Sequence, residues 1–254
     1  MLPPADLRDP NLESIPPVGV PRLTGLPASF RAATAGVLRT IAAQRNMKIH
    51  VLSALMVLIV GMALPLGLDA RVALLFAIAI VFFAEILNTA LEAFVDLHIR
   101  DYHRLAMMAK DAAAAGVLVL AATCVVVLGE ILWTQWELVT SNLDQVVRSV
   151  AFGVPMVVVE GVGLFVVRRG PLGVIRFLAS LALFAPLALH TKDPIFAVLT
   201  CALVVITAWA RWAFPRFPGR GAPRTTGPHP APDVAAASVA TSTAVAAGTP
   251  ERRP

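Results

Sequence analysis

The sequence VFFAEILNTALEAFVDLHIRDYHRLAMMAKDAAAAGVL, residues 81–118, combines apolar side chains with regularly spaced polar ones. Its recurring polar residues are Glu85, Asn88, Glu92 and Asp96. At 100° per helical residue, these side chains share a stripe about 80° wide. A charged group within a bilayer costs several kcal/mol unless it is paired, metal-bound or protonated. The stretch therefore predicts a membrane-spanning helix whose polar stripe faces a protein interior or a wet cavity.

The composition of the whole chain supports a membrane protein. Of the 254 residues, 57% are apolar and only 15% are charged. Ordinary soluble domains are about 45–50% apolar, so this balance argues against a soluble enzyme or a secreted disulfide scaffold. The net charge is +5, but the basic residues flank apolar runs. Membrane topology explains that pattern, and we expect no nucleic-acid partner.

The hydropathy pattern predicts an all-α integral membrane protein with about six transmembrane helices. Spanning a hydrocarbon core takes about 20 helical residues, and backbone groups in lipid must bond internally. The fifth apolar run is the shortest and is also compatible with a re-entrant segment. The six runs cover residues 49–66, 71–97, 112–132, 146–167, 172–189 and 194–214.

Four regions are predicted along the chain. Residues 1–27 form a disordered, proline-rich N-terminus, and residues 215–254 form a disordered cytoplasmic tail rich in Ala, Pro and Thr. Residues 28–133 hold the first three spans, preceded over 29–48 by an amphipathic helix on the inner membrane surface. A solvated helix is the alternative for 29–48. Residues 134–214 add three spans of unknown role.

The lysine and arginine distribution predicts that both termini are cytoplasmic. In that orientation all but three of the 21 basic residues lie inside, including Arg176 in the turn after the fourth span. The exceptions are Arg71, Arg148 and Lys192. Such an asymmetry is the usual signature of orientation in the membrane.

Lys110 and Asp111 stand just before the third apolar run. We expect Asp111 to cap that helix, so that Lys110 and the helix N-terminus together attract a polyphosphate. Carboxylates of the stripe could then activate a hydroxyl and hold Mg²⁺, which prefers oxygen ligands. From the residues alone, phosphoryl transfer, transport or conduction, and a structural polar interface all remain open. The soluble-kinase loops GxxxxGK[ST] and GxGxxG are absent from the sequence.

Three segments together resemble the prokaryotic diacylglycerol kinase family. They are SFRAATAGVLRTIAAQRNMKIH (29–50), AEILNTALEAFVD (84–96) and AKDAAAAGVLV (109–119). The family comprises small integral-membrane lipid kinases, including undecaprenol kinases, and the resemblance covers about residues 29–133. It implies that the surface helix and the first three spans form the kinase core. RNMKIH looks more like the undecaprenol-kinase branch.

The resemblance implies a reaction and a setting. The protein would phosphorylate a lipid hydroxyl with ATP and Mg²⁺, at the cytoplasmic face of a bacterial inner membrane. The products would be phosphatidic acid from diacylglycerol, or undecaprenyl phosphate from undecaprenol. The family is also trimeric, with sites completed between subunits, so the resemblance implies a homotrimer.

The resemblance also implies a role for each matching residue. Glu85 would be the general base, Asn88 would support the phosphate region, and Glu92 would bind the metal. The nucleotide pocket would be lined by Asp96 and Tyr102, and ATP would also contact Lys110 and Asp111.

One position departs from the family pattern. The family usually has a second metal-binding glutamate before RNM[RK]IH, whereas this chain has Gln44. An amide oxygen can ligate a metal but brings no charge. Either Glu92 binds the metal with phosphates and water, or glutamine serves as a metal ligand in this subfamily.

Two alternatives to a kinase remain. They are a catalytically silent scaffold of the same fold and a carboxylate-lined transporter or channel. A channel has no need for Lys110 and Asp111.

A separate intramembrane acid lies in the second half, within VPMVVVEGVGLFVV (154–167). Glu160 is a candidate functional residue because ionisable groups in membranes are costly. The favoured prediction is that Glu160 bonds a neighbouring helix, with Gly161 and Gly163 allowing close approach.

Overall fold

The computed structural model describes residues 25–99, 103–166 and 170–214. These ranges contain helices and no strands. The helices are α1 (Leu26–Ala43), α2 (Arg45–Ala63), α3 (Leu68–His98), α4 (Arg104–Thr134), α5 (Trp136–Ser141), α6 (Leu143–Phe165), α7 (Pro171–Leu189) and α8 (Pro194–Ala213). The predicted disorder at 1–24 and 215–254 lies outside the described residues; positions 26 and 27, in the predicted disordered N-terminus, belong to α1.

Six of these helices, all except α1 and α5, are long and apolar enough to cross a membrane. This confirms the all-α membrane fold and the six predicted spans. The fifth span is the continuous helix α7 rather than a re-entrant segment. Proline at the first position starts α7 and α8, where its missing N–H costs no helical hydrogen bond.

The predicted continuous helix over 29–48 is broken at Gln44. The backbone of Gln44 is extended, with φ −84° and ψ 130°, and it separates α1 from α2. Ile41 and Met47 are both buried in the apolar core. Six residues of continuous helix would place these two side chains about 120° apart. The break lets both of them enter the same core, while Phe30 of α1 stays exposed.

Helix α2 is the centre of the molecule. It contacts α1, α3, α6, α7 and α8, and it contributes more buried apolar side chains than any other helix. Gly61 lies against the Phe196 ring of α8, where an added Cβ would come within 2.7 Å of ring carbons. Helices α3 and α4 form a long antiparallel hairpin beside this core. The two halves of the chain are therefore packed together through α2.

The connections α2–α3, α4–α6 and α7–α8 meet at one end of the bundle, here called the Asp193 end. Arg71 forms an ion pair of 2.8 Å with Asp193. The Lys192 amide donates to the Met62 carbonyl at 3.0 Å, and the Gln145 amide donates to the His190 carbonyl. The opposite end, here called the Lys110 end, carries the end of α3 and the start of α4.

Helices α6, α7 and α8, here called the extension, are joined by a buried ion pair. Glu160 is fully buried, and its Oε2 accepts hydrogen bonds from Arg176 Nη1 at 2.6 Å and Thr207 Oγ1 at 3.1 Å. The predicted bond from Glu160 to a neighbouring helix is therefore confirmed. Counting Arg176 as a turn charge was wrong, because it lies within α7 and is drawn into the interior by Glu160. Gly163 makes room for it, since a Cβ there would overlap the Arg176 side chain.

Candidate active site

The polar stripe runs along α3 with decreasing burial toward the Lys110 end. Glu85 and Asn88 are only 2% and 4% exposed. Glu92, two turns beyond Glu85, is half-buried, and the Asp96 side chain is 41% exposed. Eleven residues of helix separate the first and last acid, a distance of about 16 Å. The stripe therefore connects a dry interior position with an open one.

The two buried residues of the stripe each carry an oxygen without a hydrogen-bond partner in the described part of the chain. These atoms are Glu85 Oε2 and Asn88 Oδ1. Almost all buried polar atoms in proteins have a partner, and an unmet acceptor is costly. The neighbouring Thr89 hydroxyl does not supply one, because it donates to the Glu85 backbone carbonyl at 2.8 Å. The two oxygens are thus available to a ligand that brings a hydrogen-bond donor.

Lys110 faces the stripe from α4. Its Nζ lies 2.5 Å from Asp96 Oδ1, so the structure joins these two predicted residues across the α3–α4 hairpin. The Lys110 side chain is 20% exposed. A half-buried ammonium beside a row of carboxylates can neutralise an anion that enters between the two helices.

Asp111 does not cap a helix. Helix α4 begins at Arg104, with His103 before it, so Asp111 lies about two turns inside and is exposed. The apolar pattern placed the helix start too late, because the Leu-Ala-Met-Met-Ala run over 105–109 consists of strong helix formers. The predicted phosphate site on free helix N–H groups beside Lys110 was wrong. The lysine itself remains a candidate.

Gln44 and Tyr102 are the two predicted site residues that lie outside α3 and α4. Gln44 is half-buried at the α1–α2 junction, and Tyr102 lies outside the described residues. Within the described ranges, no three His, Cys, Asp or Glu side chains are grouped to hold a metal ion. Mg²⁺ is commonly held by one or two carboxylates together with substrate phosphates and water. Glu92 on the stripe fits that kind of site, whereas an all-protein metal cage does not.

An apolar groove between α2, α3 and α4 was missed by the sequence reasoning. Its volume is about 270 Å³, and Val81 and Phe82 line it one turn from Glu85. His50 also lines it, and so do several small residues, including Ser53 and Cys124. Small residues recurring within the three spans were the available signal, since short side chains leave space between helices that do not pack closely there. The groove suits a hydrocarbon chain whose polar end reaches the stripe.

Comparisons with known proteins point to one family. The model of the family described as "Prokaryotic diacylglycerol kinase" matches residues 31–132, which nearly coincide with the segment predicted from the resemblance. Residues 133–254, which include the extension, lie outside this match. No solved structure matches the chain.

Similar curated proteins carry names of the same kind. A diacylglycerol kinase of Synechocystis sp. is 43% identical over 102 residues, 40% of this chain and 58% of that protein. The undecaprenol kinase of Bacillus subtilis is 39% identical over 99 residues, 39% of this chain and 80% of that protein. The diacylglycerol kinase of Escherichia coli is 32% identical over 84 residues, 33% of this chain and 69% of that protein. The chain thus spans less than two thirds of the Synechocystis protein.

Proposed function

Because the chain belongs to the prokaryotic diacylglycerol kinase family, we propose that it is a membrane lipid kinase transferring phosphate from ATP to a lipid hydroxyl. The observation that carries this proposal is the buried Oε2 of Glu85, which has no hydrogen-bond partner among the described residues, on a stripe that Lys110 faces from α4. Family membership disfavours the transporter or channel alternative. The position of Lys110 beside the acids disfavours it too, because transport or conduction needs no phosphate-binding lysine there.

Glu85 is the proposed general base. Its free carboxylate oxygen takes the proton of the lipid hydroxyl as the hydroxyl oxygen attacks the γ-phosphorus. The bond from that phosphorus to the β,γ-bridging oxygen breaks, and ADP leaves. Asn88 lies one turn away, and its amide, whose Oδ1 has no partner among the described residues, is proposed to support the phosphate region. Glu85 lies 17 residues beyond Leu68, which is about 25 Å along the helix. With Leu68 at one boundary of a roughly 30 Å hydrocarbon core, Glu85 therefore lies near the opposite boundary.

Lys110 is proposed to neutralise the phosphates of ATP, exchanging its contact with Asp96 for phosphate oxygens. Asp96, Asp111 and Tyr102 are proposed to bind the nucleotide. Glu92 is proposed to hold Mg²⁺ brought by ATP, with Gln44 as a second, uncharged ligand. When bound, Mg²⁺ neutralises and orients the transferring phosphates.

The acceptor is proposed to lay its hydrocarbon chain in the α2–α3–α4 groove. The groove is almost entirely apolar, and its lining residues Val81 and Phe82 lie one turn from Glu85 on α3. Diacylglycerol and undecaprenol both combine a long apolar chain with a terminal hydroxyl, and similar proteins are named for each. The α2–α3–α4 groove is compatible with either acceptor, whereas the RNMKIH segment looks more like the undecaprenol-kinase branch.

The proposed setting is a bacterial inner membrane with both termini in the cytoplasm. In this orientation the Lys110 end meets cytoplasmic ATP, and Arg71, Arg148 and Lys192 are the three basic residues on the outer side. Residues 28–133 form the proposed kinase region and 134–214 an additional three-span region. Residues 1–27 and 215–254 are the proposed disordered ends.

A homotrimer is proposed as the active assembly. In the most apolar stretch of α4, only 6% of the residues are buried within one chain. Near the Lys110 end, this hairpin exposes the large apolar side chains Phe94, Leu97, Leu105 and Met108. Helices of 31 residues are about 46 Å long and exceed a 30 Å hydrocarbon core. A neighbouring subunit would cover apolar side chains that extend beyond the lipid.

The test is phosphate transfer from labelled ATP in mixed micelles. Diacylglycerol and undecaprenol are offered separately, with and without Mg²⁺. We expect label in one lipid, dependent on Mg²⁺, and a loss of about 10²–10⁴-fold in Glu85→Gln, the range for a general base. Glu130→Gln is the matched control, because Glu130 is an exposed acid at the Asp193 end. Full activity of Glu85→Gln, or no label in either lipid, would refute the proposal.

A catalytically silent scaffold is the second candidate, favoured by the uncharged Gln44. In that case the purified protein transfers no phosphate, and Gln44→Glu restores Mg²⁺-dependent transfer by supplying the missing charge. If the parent protein is active, Gln44→Glu is expected to lower the Mg²⁺ concentration required. An unchanged requirement would contradict the assignment of Gln44 to the metal.

A further inference from the structure

The bend between α1 and α2 depends on a single residue. Gln44 is extended, so no continuous helix sets the angle between the two helices. Its amide donates to the Thr40 carbonyl at 2.9 Å, which closes α1 but does not orient α2. The angle must therefore be set by packing against other elements.

One cation–π contact lies on each side of the bend. The Arg39 guanidinium lies 5.4 Å from the centre of the Phe214 ring, and Lys48 Nζ lies 5.8 Å from the centre of the Phe165 ring. Both distances are within the roughly 6 Å range of this interaction. Lys48 is only 8% exposed, and desolvation strengthens such contacts.

Both aromatic partners lie in the extension or directly after it, whereas both cations belong to the segment matched by the family. Phe165 is the last residue of α6, and Phe214 follows the end of α8. Leu38 and Ile41 of α1 are buried in the apolar core, and α1 packs against α8. Helix α1 also contacts α3, which carries the polar stripe. The extension can therefore determine the position of α1 relative to the stripe.

On the lipid kinase function proposed above, we infer that the extension is a positioning module for the nucleotide side of the site. Phe165 and Phe214 are its positioning residues. They hold the bend at Gln44 and thereby place Gln44 and α1 relative to Glu92 on α3. Neither ring is proposed to touch a substrate. Loss of the rings should weaken the use of Mg²⁺–ATP and leave lipid binding intact, because the α2–α3–α4 groove contains no residue of the extension.

The kinetic test replaces both rings by leucine, Phe165→Leu with Phe214→Leu. We expect the KM for ATP to rise about five- to thirty-fold, since the two contacts together contribute about 1–2 kcal/mol, which corresponds to that factor. The KM for lipid should stay unchanged. Tryptophan at both positions keeps an aromatic face and should restore the KM for ATP. Phe76→Leu is the matched control, because Phe76 is 64% exposed on α3 and takes part in neither contact.

A structural readout accompanies the kinetics. Spin labels on Ala33→Cys in α1 and Met56→Cys in α2 report the bend directly, in a background of Cys124→Ser and Cys201→Ser. We expect one narrow distance distribution in the parent protein and a broad one in the double-leucine variant. The single Phe165→Leu and Phe214→Leu variants give intermediate widths and supply the comparison if the double variant does not fold.

The outcomes separate this inference from the proposed function. An unchanged distance distribution would overturn the role of the two rings in the bend. A broadened distribution with unchanged KM for ATP would overturn the positioning of the site. A parent protein that transfers phosphate to no lipid would refute the kinase proposal and the positioning of its site, while the label distances would still show whether the extension holds the bend.

Discussion

Removing one partner of the Glu160–Arg176 ion pair should strongly destabilise the protein. Glu160→Ala leaves Arg176, whose side chain is only 7% exposed, without its carboxylate partner. An uncompensated buried charge of this kind costs about 3–5 kcal/mol. Thr207 adds little to the loss, because its hydroxyl also donates to the Val204 carbonyl at 2.8 Å.

The structure places the expected value at the lower end of that range. Glu160 Oε1 and Arg176 Nε have no hydrogen-bond partner among the described residues, so the pair satisfies only part of its polar atoms. We expect Glu160→Ala to lower the free energy of unfolding by about 3 kcal/mol. Replacing both partners with methionine fills similar volume without a buried charge. The double variant should therefore be near the parent stability or above it.

The assay is reversible unfolding in mixed micelles by titration with SDS, followed by tryptophan fluorescence and circular dichroism. Glu130→Ala is the control, because Glu130 is exposed on α4 and its loss should change stability by less than about 0.5 kcal/mol. The reasoning fails if Glu160→Ala resembles this control, or if the double methionine variant is as unstable as Glu160→Ala.

Further predictions concern packing, the groove and the nucleotide. Gly163→Ala should lower the free energy of unfolding by about 1–3 kcal/mol, because its Cβ overlaps the Arg176 side chain. Gly129→Ala should cost no stability, because no atom lies within 4 Å of the added Cβ. Equal stabilities of the two variants in the same SDS titration would contradict this. Alkylation of Cys124, which lines the groove, should abolish transfer to lipid but preserve ATP binding, and Cys124→Ser should confer resistance to the reagent. Inactivation of the serine variant would exclude the groove as the target. Lys110→Met should lower kcat/KM for ATP about 10- to 100-fold through loss of a charge-assisted bond, and steady-state kinetics showing an unchanged value would remove Lys110 from the nucleotide site.

Features that depend on local spacing follow from the amino-acid sequence alone. Helix length and hydropathy identified six spans, because about 20 apolar residues cross a bilayer whatever their neighbours are. The 100° rotation per residue placed Glu85, Asn88, Glu92 and Asp96 on one face of α3. The motifs over 84–96 and 109–119 identified the family that the comparisons confirm.

Tertiary packing decided the rest, because it depends on partners far away in the chain. The break at Gln44 follows from a core that takes in both Ile41 and Met47, which one continuous helix would separate. The sequence pattern assigns Arg176 to a cytoplasmic turn, whereas in the fold Arg176 forms an ion pair with Glu160 of α6. The α2–α3–α4 groove and the two cation–π contacts likewise arise where separate helices meet. Periodicity shows which face of a helix is apolar or polar, but only the packed fold shows what that face meets.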